Sequence, residues 1–448
     1  MGEERHNLRI EGWDARMSGT ARVGTRRRLR VPGALPGEHV RLRVLKRGKG
    51  GRPDLTRLEQ VWEAHDERVT PFCPRHEARA VIHGCTGCGL QHASWSLQRA
   101  LKLDWLRTHM GLDVASVEHD EADQGYRWVS KRVVQRRDGR LVLGSYVKGS
   151  HAVASMEGCR VDHPAIRRAA DELLSEAQRL GVAAFDPSTG EGDLRYAWFK
   201  TNGEEVLTTL VTGRACEAVT RELASRLTAS HGVAWCVQSG EGNDMRGEGV
   251  QQLTGLATIQ LPPSLGGQRH GPLGFMQPNP VVAAMARAAL LCDVDEAPLR
   301  GVLAWDLYAG SGATTEALRE HFEEVVGCER HVEPGGAEGI VSKEVSDFLS
   351  ARADTERVPG LVVANPPRGG MGGAVVAQLR AIGPEHLHIM SCNPRSLRRD
   401  LDGLVEDGRF QLVSVRAFDT LPHTEHVELV ARLVRAATDS PPGEASTE

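Results

Sequence analysis

Residues 302–322 read VLAWDLYAGSGATTEALREHF, and the fold follows from this stretch. An apolar run typical of a buried strand stops at an acid, Asp306. Two glycines, Gly310 and Gly312, then make a tight turn, and TTEALREHF continues with helical spacing. Glycines let the backbone come close to a ligand, and the amides that open a helix receive polar or anionic groups. Further on, EVVGCE ends in Glu329, a carboxylate suited to two ribose hydroxyls. A G-x-G turn with an acid before it, lacking the rest of the G-x-x-G pattern, fits S-adenosylmethionine better than a dinucleotide. The competing reading is an ordinary strand-to-helix turn.

Outward from this stretch, strands and helices alternate from about residue 274. A helix is expected over 280–291, followed by the strands VLAWDLYAG, EVVGCE, GLVVAN and HLHIMSC, with the helices TTEALREHF and AVVAQLRAIG between them. RFQLVSVRAF and HVELVARLV close the series. Apolar strands bounded by glycine with intervening helices predict a Rossmann-like doubly wound α/β domain, with ligand-binding loops at the strand C-termini. Its span is 266–436. Residues 437–448 are expected to be disordered. Residues 1–64 carry short β runs punctuated by Gly12, Gly19, Gly24, Pro32, Pro36 and Gly37, the spacing of a small β-barrel. Residues 65–265 mix strands and helices as a central α+β domain. Its amphipathic helix at 94–111 is expected to pack on the catalytic domain.

The chain has 448 residues, 40% apolar and 25% charged, enough for real cores. No apolar run approaches the roughly 20 residues of a membrane span, and MGEERHNLRI lacks the layout of a secretion signal. A cytoplasmic monomer with no membrane partner is expected. The net charge of −4 hides an asymmetry: residues 1–60 hold fifteen Lys/Arg against seven Asp/Glu, a local +8. That balance suits a polyphosphate backbone or, more blandly, a solvated basic face.

Nine cysteines over this length are too few and scattered for a disulfide framework. Cys392, in IMSCNP, follows an apolar strand at the mouth where such sheets keep their sites, and there a cysteine can present a thiolate. Asn365, in VVANPPRGG, follows another strand end. FDTLPHTEHVELV places Glu428 on the next-to-last predicted strand, with His423 and His426 beside it. A nucleophile, an amide and a carboxylate from neighbouring strand ends can converge. Cys85 and Cys88 form a C-x2-C pair with Cys73 and Cys159 outlying, a set able to hold zinc or an iron-sulfur cubane. Cys216, Cys236, Cys292 and Cys328 fit no such pattern and are expected to be buried apolar residues.

FMQPN (275–279), DLYAGSG, NPPR (365–368), SCNP with RSLRRDL, and FDTLPHTEHVE occur in an order that resembles the RNA (uracil-5-)methyltransferase family over nearly the whole chain. The basic start resembles that family's TRAM domain. The resemblance implies a methyltransferase that uses S-adenosylmethionine to methylate C5 of a uridine in RNA, with 23S ribosomal RNA expected first and transfer RNA next. It implies Cys392 as the nucleophile that adds to uracil C6 and Glu428 as the base. Gln277, Asp306, Tyr308, Gly310 and Glu329 would contact the cofactor, with Glu344 on its adenine side and Asn365 at the pyrimidine's N3 and O4 edge. CTGCGLQH resembles the family's cluster loop, which implies a [4Fe-4S] cluster on Cys73, Cys85, Cys88 and Cys159.

Three features depart from the family. Its pattern has Asp where this chain has Asn365, although a carboxamide can satisfy both the N3–H donor and the O4 acceptor of uracil. HVEPGGAEGIVSKEVSD (331–347) replaces most of the helix expected after the ribose-binding acid, and the gap between Cys73 and Cys85 is longer than expected. These departures motivate an alternative: an RNA-binding homologue with impaired catalysis. A third reading, methylation of an exocyclic amine, rests on N-P-P and leaves Cys392 and Glu428 idle.

Overall fold

The computed structural model describes residues 4–76, 84–148, 150–242, 244–331, 338–352 and 357–436. The tail expected to be disordered, 437–448, lies outside the described residues, as do 332–337 within the shortened segment. The chain forms two compact units. One comprises Met1–Trp105, His119–Ala283 and Asp419–His426; the other comprises Leu106–Glu118, Ala284–Phe418 and Val427–Glu448. These lines differ from the sequence boundaries at 64/65 and 265/266, and one falls inside the helix Trp95–Met110, between Trp105 and Leu106.

The second unit is built on an eight-stranded sheet. Its order is Ile340–Ser342, Phe322–Glu329, Gly301–Leu307, Leu361–Ala364, His386–Ser391, Glu428–Arg435, Phe410–Phe418 and the short Val117–Glu118. The first five run parallel to their neighbours, and Glu428–Arg435 enters antiparallel. Chain order runs outward in one direction from Gly301–Leu307 and then restarts on its other side at Leu361–Ala364. This reversal opens a crevice at the strand C-termini, where doubly wound sheets bind ligands. Leu361, Val362, Val363 and Ala364 are fully buried, as a parallel strand covered on both faces requires. Trp305 meets Phe348 edge-to-face at 5.4 Å, which seats the helix Val345–Ser350 on the sheet. The doubly wound α/β prediction holds. The strand Ile340–Ser342 and the helix Val345–Ser350 were not anticipated, because three-residue and six-residue elements carry too little periodicity to register.

The first unit holds two larger sheets. Arg5–Arg9, His39–Lys46, Asp54–Glu63, Arg27–Val31, Gly19–Val23 and Gly12–Trp13 form the six-stranded one, around Ile10, Ala21, Leu29, Val31, Ala34, Val40 and Leu42. Fully buried Glu38 accepts the N–H groups of Leu35 at 2.8 Å and His65 at 3.2 Å and pairs with Arg68. The seven-stranded sheet runs Val153–Ser155, Arg140–Tyr146, Val129–Arg137, Leu194–Thr201, Val206–Thr212, Gly232–Val237 and Glu248–Gly255. Helix Pro164–Arg179 starts on a His163 cap with proline in its first turn, and its Ala165, Ile166, Ala169 and Leu173 pack with Phe199, Leu210 and Val233. Among the described residues, no helix is long and apolar enough to cross a membrane.

Lys102 and Asp419 form an ion pair at 2.7 Å with side chains 1% and 0% exposed, and the Trp95 indole N–H donates to the same carboxylate at 3.2 Å. Removing one member of a buried pair strands the other charge, at about 3–5 kcal/mol. Lys102→Ala should lower the unfolding free energy by that amount in urea titrations. A loss below about 1 kcal/mol, the range of exposed pairs, would show that the site is wet.

Candidate active site

The C-terminal edge of Gly301–Leu307 carries the cofactor-type residues. Asp306 is 1% exposed and accepts a 2.6 Å hydrogen bond from the Thr315 hydroxyl. Burial, opposed by hydrogen bonds from Thr315, pushes its carboxyl up to about 7. Immediately beyond the strand, Tyr308, Gly310 and Gly312 all take left-handed φ angles of 60°, 57° and 86°. Nothing lies within 4 Å of where a Gly310 Cβ would sit, so the glycine answers to backbone angle and leaves open space. The Gly310 N–H donates to Glu329 at 3.0 Å and the His331 N–H donates to its other oxygen at 3.1 Å, so Glu329 closes on the turn from the adjacent strand. Burial pushes the Tyr308 phenol up to about 12, with Asp400, Cys328 and Glu344 adding to it. Glu344 is half-exposed and pairs with Arg330 at 2.8 Å. The fold thus gathers Asp306, Tyr308, Gly310, Glu329 and Glu344 at one edge. Gln277 belongs to the first unit, on a loop where Trp128 donates to the Pro278 carbonyl at 2.7 Å and Phe275 is 69% exposed.

The next strand ends carry the reactive groups. Asn365 follows Leu361–Ala364 and donates its backbone N–H to the Leu307 carbonyl at 3.1 Å. Ser391 pairs with Leu429 and Phe418 pairs with Glu428. One residue further in the antiparallel register, half-buried Cys392 comes level with Glu428. Burial, with the Glu428 charge adding to it, raises the Cys392 thiol, whereas Arg368 opposes both by charge and by hydrogen-bonding the sulfur. Glu428 is 8% exposed, and burial pushes its carboxyl up to about 8 against the same Arg368. A thiol, a carboxyl and a guanidinium therefore form one constellation. Arg368 had no assigned role in the sequence reading, although NPPR contained it.

Two sequence expectations are corrected. Glu428 opens the last strand, Glu428–Arg435, rather than the next-to-last. His423 and His426 belong to the first unit, and the His423 ring is 3% exposed, bonded to Gln98 at 3.2 Å and to the Asp123 carbonyl at 2.8 Å. That ring is structural.

The cysteine set lies in the first unit. Cys73, Cys85, Cys88 and Cys159 are free and partly buried. Burial pushes Cys88 up to about 12, with Cys159, Cys85 and Cys73 adding and Arg127 opposing. Cys88 therefore lies within charge range of the other three sulfurs. Among the described residues, however, no group of three or more His, Cys, Asp or Glu is spaced to hold a metal ion. Residues 77–83 of the loop lie outside the described residues. Of the remaining cysteines, Cys236 and Cys328 are fully buried as expected, whereas Cys216 and Cys292 are only partly so.

The basic N-terminal segment is substantially self-neutralised. Arg27 pairs with Glu4 and Asp54, Arg47 with Glu4, Arg30 with Asp14 and Arg9 with Glu63. Arg26, Lys46, Lys49, Arg52 and Arg57 remain exposed.

No protein-family model matches the chain. It is 25% identical over 431 residues to an uncharacterized RNA methyltransferase of Listeria monocytogenes serotype 4b, covering 90% of this chain and 92% of that protein. A protein of Parasynechococcus marenigrum with the same description is 27% identical over 434 residues, covering 91% of each. The fold matches the crystal structure of Pyrococcus abyssi tRNA (uracil-54, C5)-methyltransferase in complex with S-adenosyl-L-homocysteine. The TM-score is 0.74 at 19% identity, over 96% of this chain and 99% of the other. The chain shares that fold over 96% of its length.

The raised Asp306 carboxyl has a consequence for stability. Because the native state holds this proton more tightly than the unfolded chain does, the contribution is fully present below about pH 4 and fades as pH rises through about 7. Asp306→Asn should therefore melt at or above the parent at pH 8 and show no such gain at pH 4 by differential scanning fluorimetry. An advantage larger at pH 4 than at pH 8 would contradict the burial argument.

Proposed function

We propose that the protein is an S-adenosylmethionine-dependent RNA methyltransferase that methylates C5 of a uridine through a covalent bond from Cys392 to C6. The observation that carries this reading is the meeting of Cys392, Glu428 and Arg368 at the C-terminal mouth of the doubly wound sheet. The similarity to proteins named RNA methyltransferases supports it independently. The chain is a methyltransferase, and its substrate is RNA.

The cofactor edge suits the methyl donor. A buried acid, a left-handed glycine turn with open space above Gly310 and a carboxylate on the neighbouring strand are the donor set such a ligand needs. Asp306, Tyr308, Gly310, Glu329 and Glu344 would hold it. When bound, it supplies an electrophilic methyl group on a sulfonium.

Uracil C5 is too weak a nucleophile to accept that methyl unaided. Arg368 favours the thiolate of Cys392, whose sulfur adds to C6; the C5–C6 π electrons move to make an enolate, and C5 becomes electron-rich. The carboxamide of Asn365 can meet N3–H and O4 with its oxygen and its amino group. After methylation, Glu428 takes the C5 proton, the double bond re-forms and the C6–S bond breaks, returning the thiolate. Reaching C6 requires an unstacked or flipped nucleotide, so a single-stranded loop of folded RNA is the substrate.

The six-stranded sheet is read as a TRAM-type RNA-binding barrel, with exposed Arg26, Lys46, Lys49, Arg52 and Arg57 facing phosphates. The spacing of Cys73, Cys85, Cys88 and Cys159, with Cys88 within charge range of the other three, supports a [4Fe-4S] cluster as their ligand. Ribosomal RNA is the favoured substrate, on the barrel together with the cysteine loop. Transfer RNA is the second reading, favoured by the fold match to an enzyme named for it. A cytoplasmic monomer fits both. The catalytically impaired alternative leaves the Cys–Glu–Arg constellation without a use.

Cys392→Ala should reduce tritiated methyl transfer to RNA by about a thousandfold or more. Undiminished turnover would overturn the mechanism. Glu428→Gln should accumulate a covalent protein–RNA band on denaturing gels, because release needs the C5 proton removed. In the parent enzyme, steady-state turnover should fall as pH drops through about 8, where Glu428 gains its proton, while the covalent protein–RNA band grows. Nucleoside mass spectrometry of ribosomal and transfer RNA from a deletion strain separates the two substrates. Visible absorption of anaerobically purified protein separates an iron-sulfur cluster from colourless zinc.

A further inference from the structure

The helix Pro394–Val405 begins two residues after the nucleophile, and its polar side chains reach back to one short loop. The Asn393 amide donates to the Arg368 carbonyl at 2.8 Å. Arg399 donates to the Gly369 carbonyl at 2.6 Å. The Met371 N–H donates to Asp400 at 2.7 Å. Three backbone groups within four residues are thus held by three side chains of one element. Asp400 is 2% exposed, and its second oxygen takes Arg399 at 3.0 Å, so its carboxylate is fully engaged inside this contact. Between the held groups, Gly370 sits at φ 81°, and a Cβ there would collide with the Asp400 carboxylate and the Arg399 guanidinium. The close approach of loop and helix therefore requires glycine twice over, for angle and for space.

We propose that Asn393, Arg399 and Asp400 form a clamp that positions the loop 368–371, and through it Arg368, against Cys392 and Glu428. The clamp rests on the reading of Cys392 as the nucleophile and deepens it. These three are positioning residues: none touches the thiol, and their effect reaches it through Arg368. The charged groups that face Cys392 are Glu428, from the last strand, and Arg368, from the clamped loop. Coupling them through one helix explains why position 370 carries glycine rather than a side chain.

The test reads the thiol directly. Iodoacetamide labelling of Cys392, followed by peptide mass spectrometry across pH, needs neither RNA nor methyl donor. Arg368→Met removes the cation, so its labelling midpoint should rise by about one pH unit. Asp400→Ala and Gly370→Ala, folded by circular dichroism, should show the same rise. The double variant Asp400→Ala/Arg368→Met should show no more than either single change. Asp400→Asn, whose amide oxygen can still accept the Met371 N–H, should restore most of the parent profile. Where Asp400→Ala fails to fold, Arg399→Met, which removes the bonds to the Gly369 carbonyl and to Asp400 but leaves Asp400 holding the Met371 N–H, should shift in the same direction by less. A parent-like profile in the folded clamp variants, or a shift that adds fully to that of Arg368→Met, overturns the clamp. Loss of methyl transfer is scored separately: a Cys392→Ala enzyme with full activity sinks the proposed chemistry and leaves the clamp standing, whereas unmoved labelling with intact transfer sinks the clamp alone.

Discussion

A guanidinium between a buried carboxyl and a half-buried thiol is the interaction on which the site depends. Without Arg368, burial would drive both Cys392 and Glu428 toward their neutral forms, and each would discourage ionisation of the other. One fixed cation opposes desolvation at both groups. The arrangement places a thiol and a carboxyl side by side and leaves neither permanently charged, which is what the proposed addition and later proton removal need.

The sheet makes that meeting possible. Strand reversal between Gly301–Leu307 and Leu361–Ala364 brings the C-termini of parallel strands to one edge, and the antiparallel entry of Glu428–Arg435 puts the first residue of the last strand beside the residue following His386–Ser391. A parallel final strand would have placed Glu428 at the opposite end of the sheet. The cofactor-type residues and the reactive residues are thus successive strand ends along one mouth, with Asn365 tied by its backbone to the end of Gly301–Leu307.

The basic segment and the cysteine set show how composition can mislead about strength. Fifteen cations against seven acids suggest a bare positive surface, yet Glu4, Asp14, Asp54 and Glu63 each take an arginine. Pairing of this kind holds the strands of a small barrel in place and leaves a reduced set of exposed cations. Of four cysteines with ligand-like spacing, Cys88 lies within charge range of the other three.

The sequence by itself determined the doubly wound architecture, the glycine turn after Asp306, the strand-end placement of Cys392 and Asn365, and the carboxylate at Glu428. Each of these is written in local periodicity and in the residues that interrupt it. Only the tertiary structure decided that Arg368 is the partner of both reactive groups, that His423 is consumed by Gln98 and Asp123, and that Asn393, Arg399 and Asp400 hold the loop bearing Arg368. Those facts depend on strand order and on antiparallel register, which bring together residues far apart in the chain. Hydrophobic pattern specifies which face of an element is buried, but not which distant side chain it will meet.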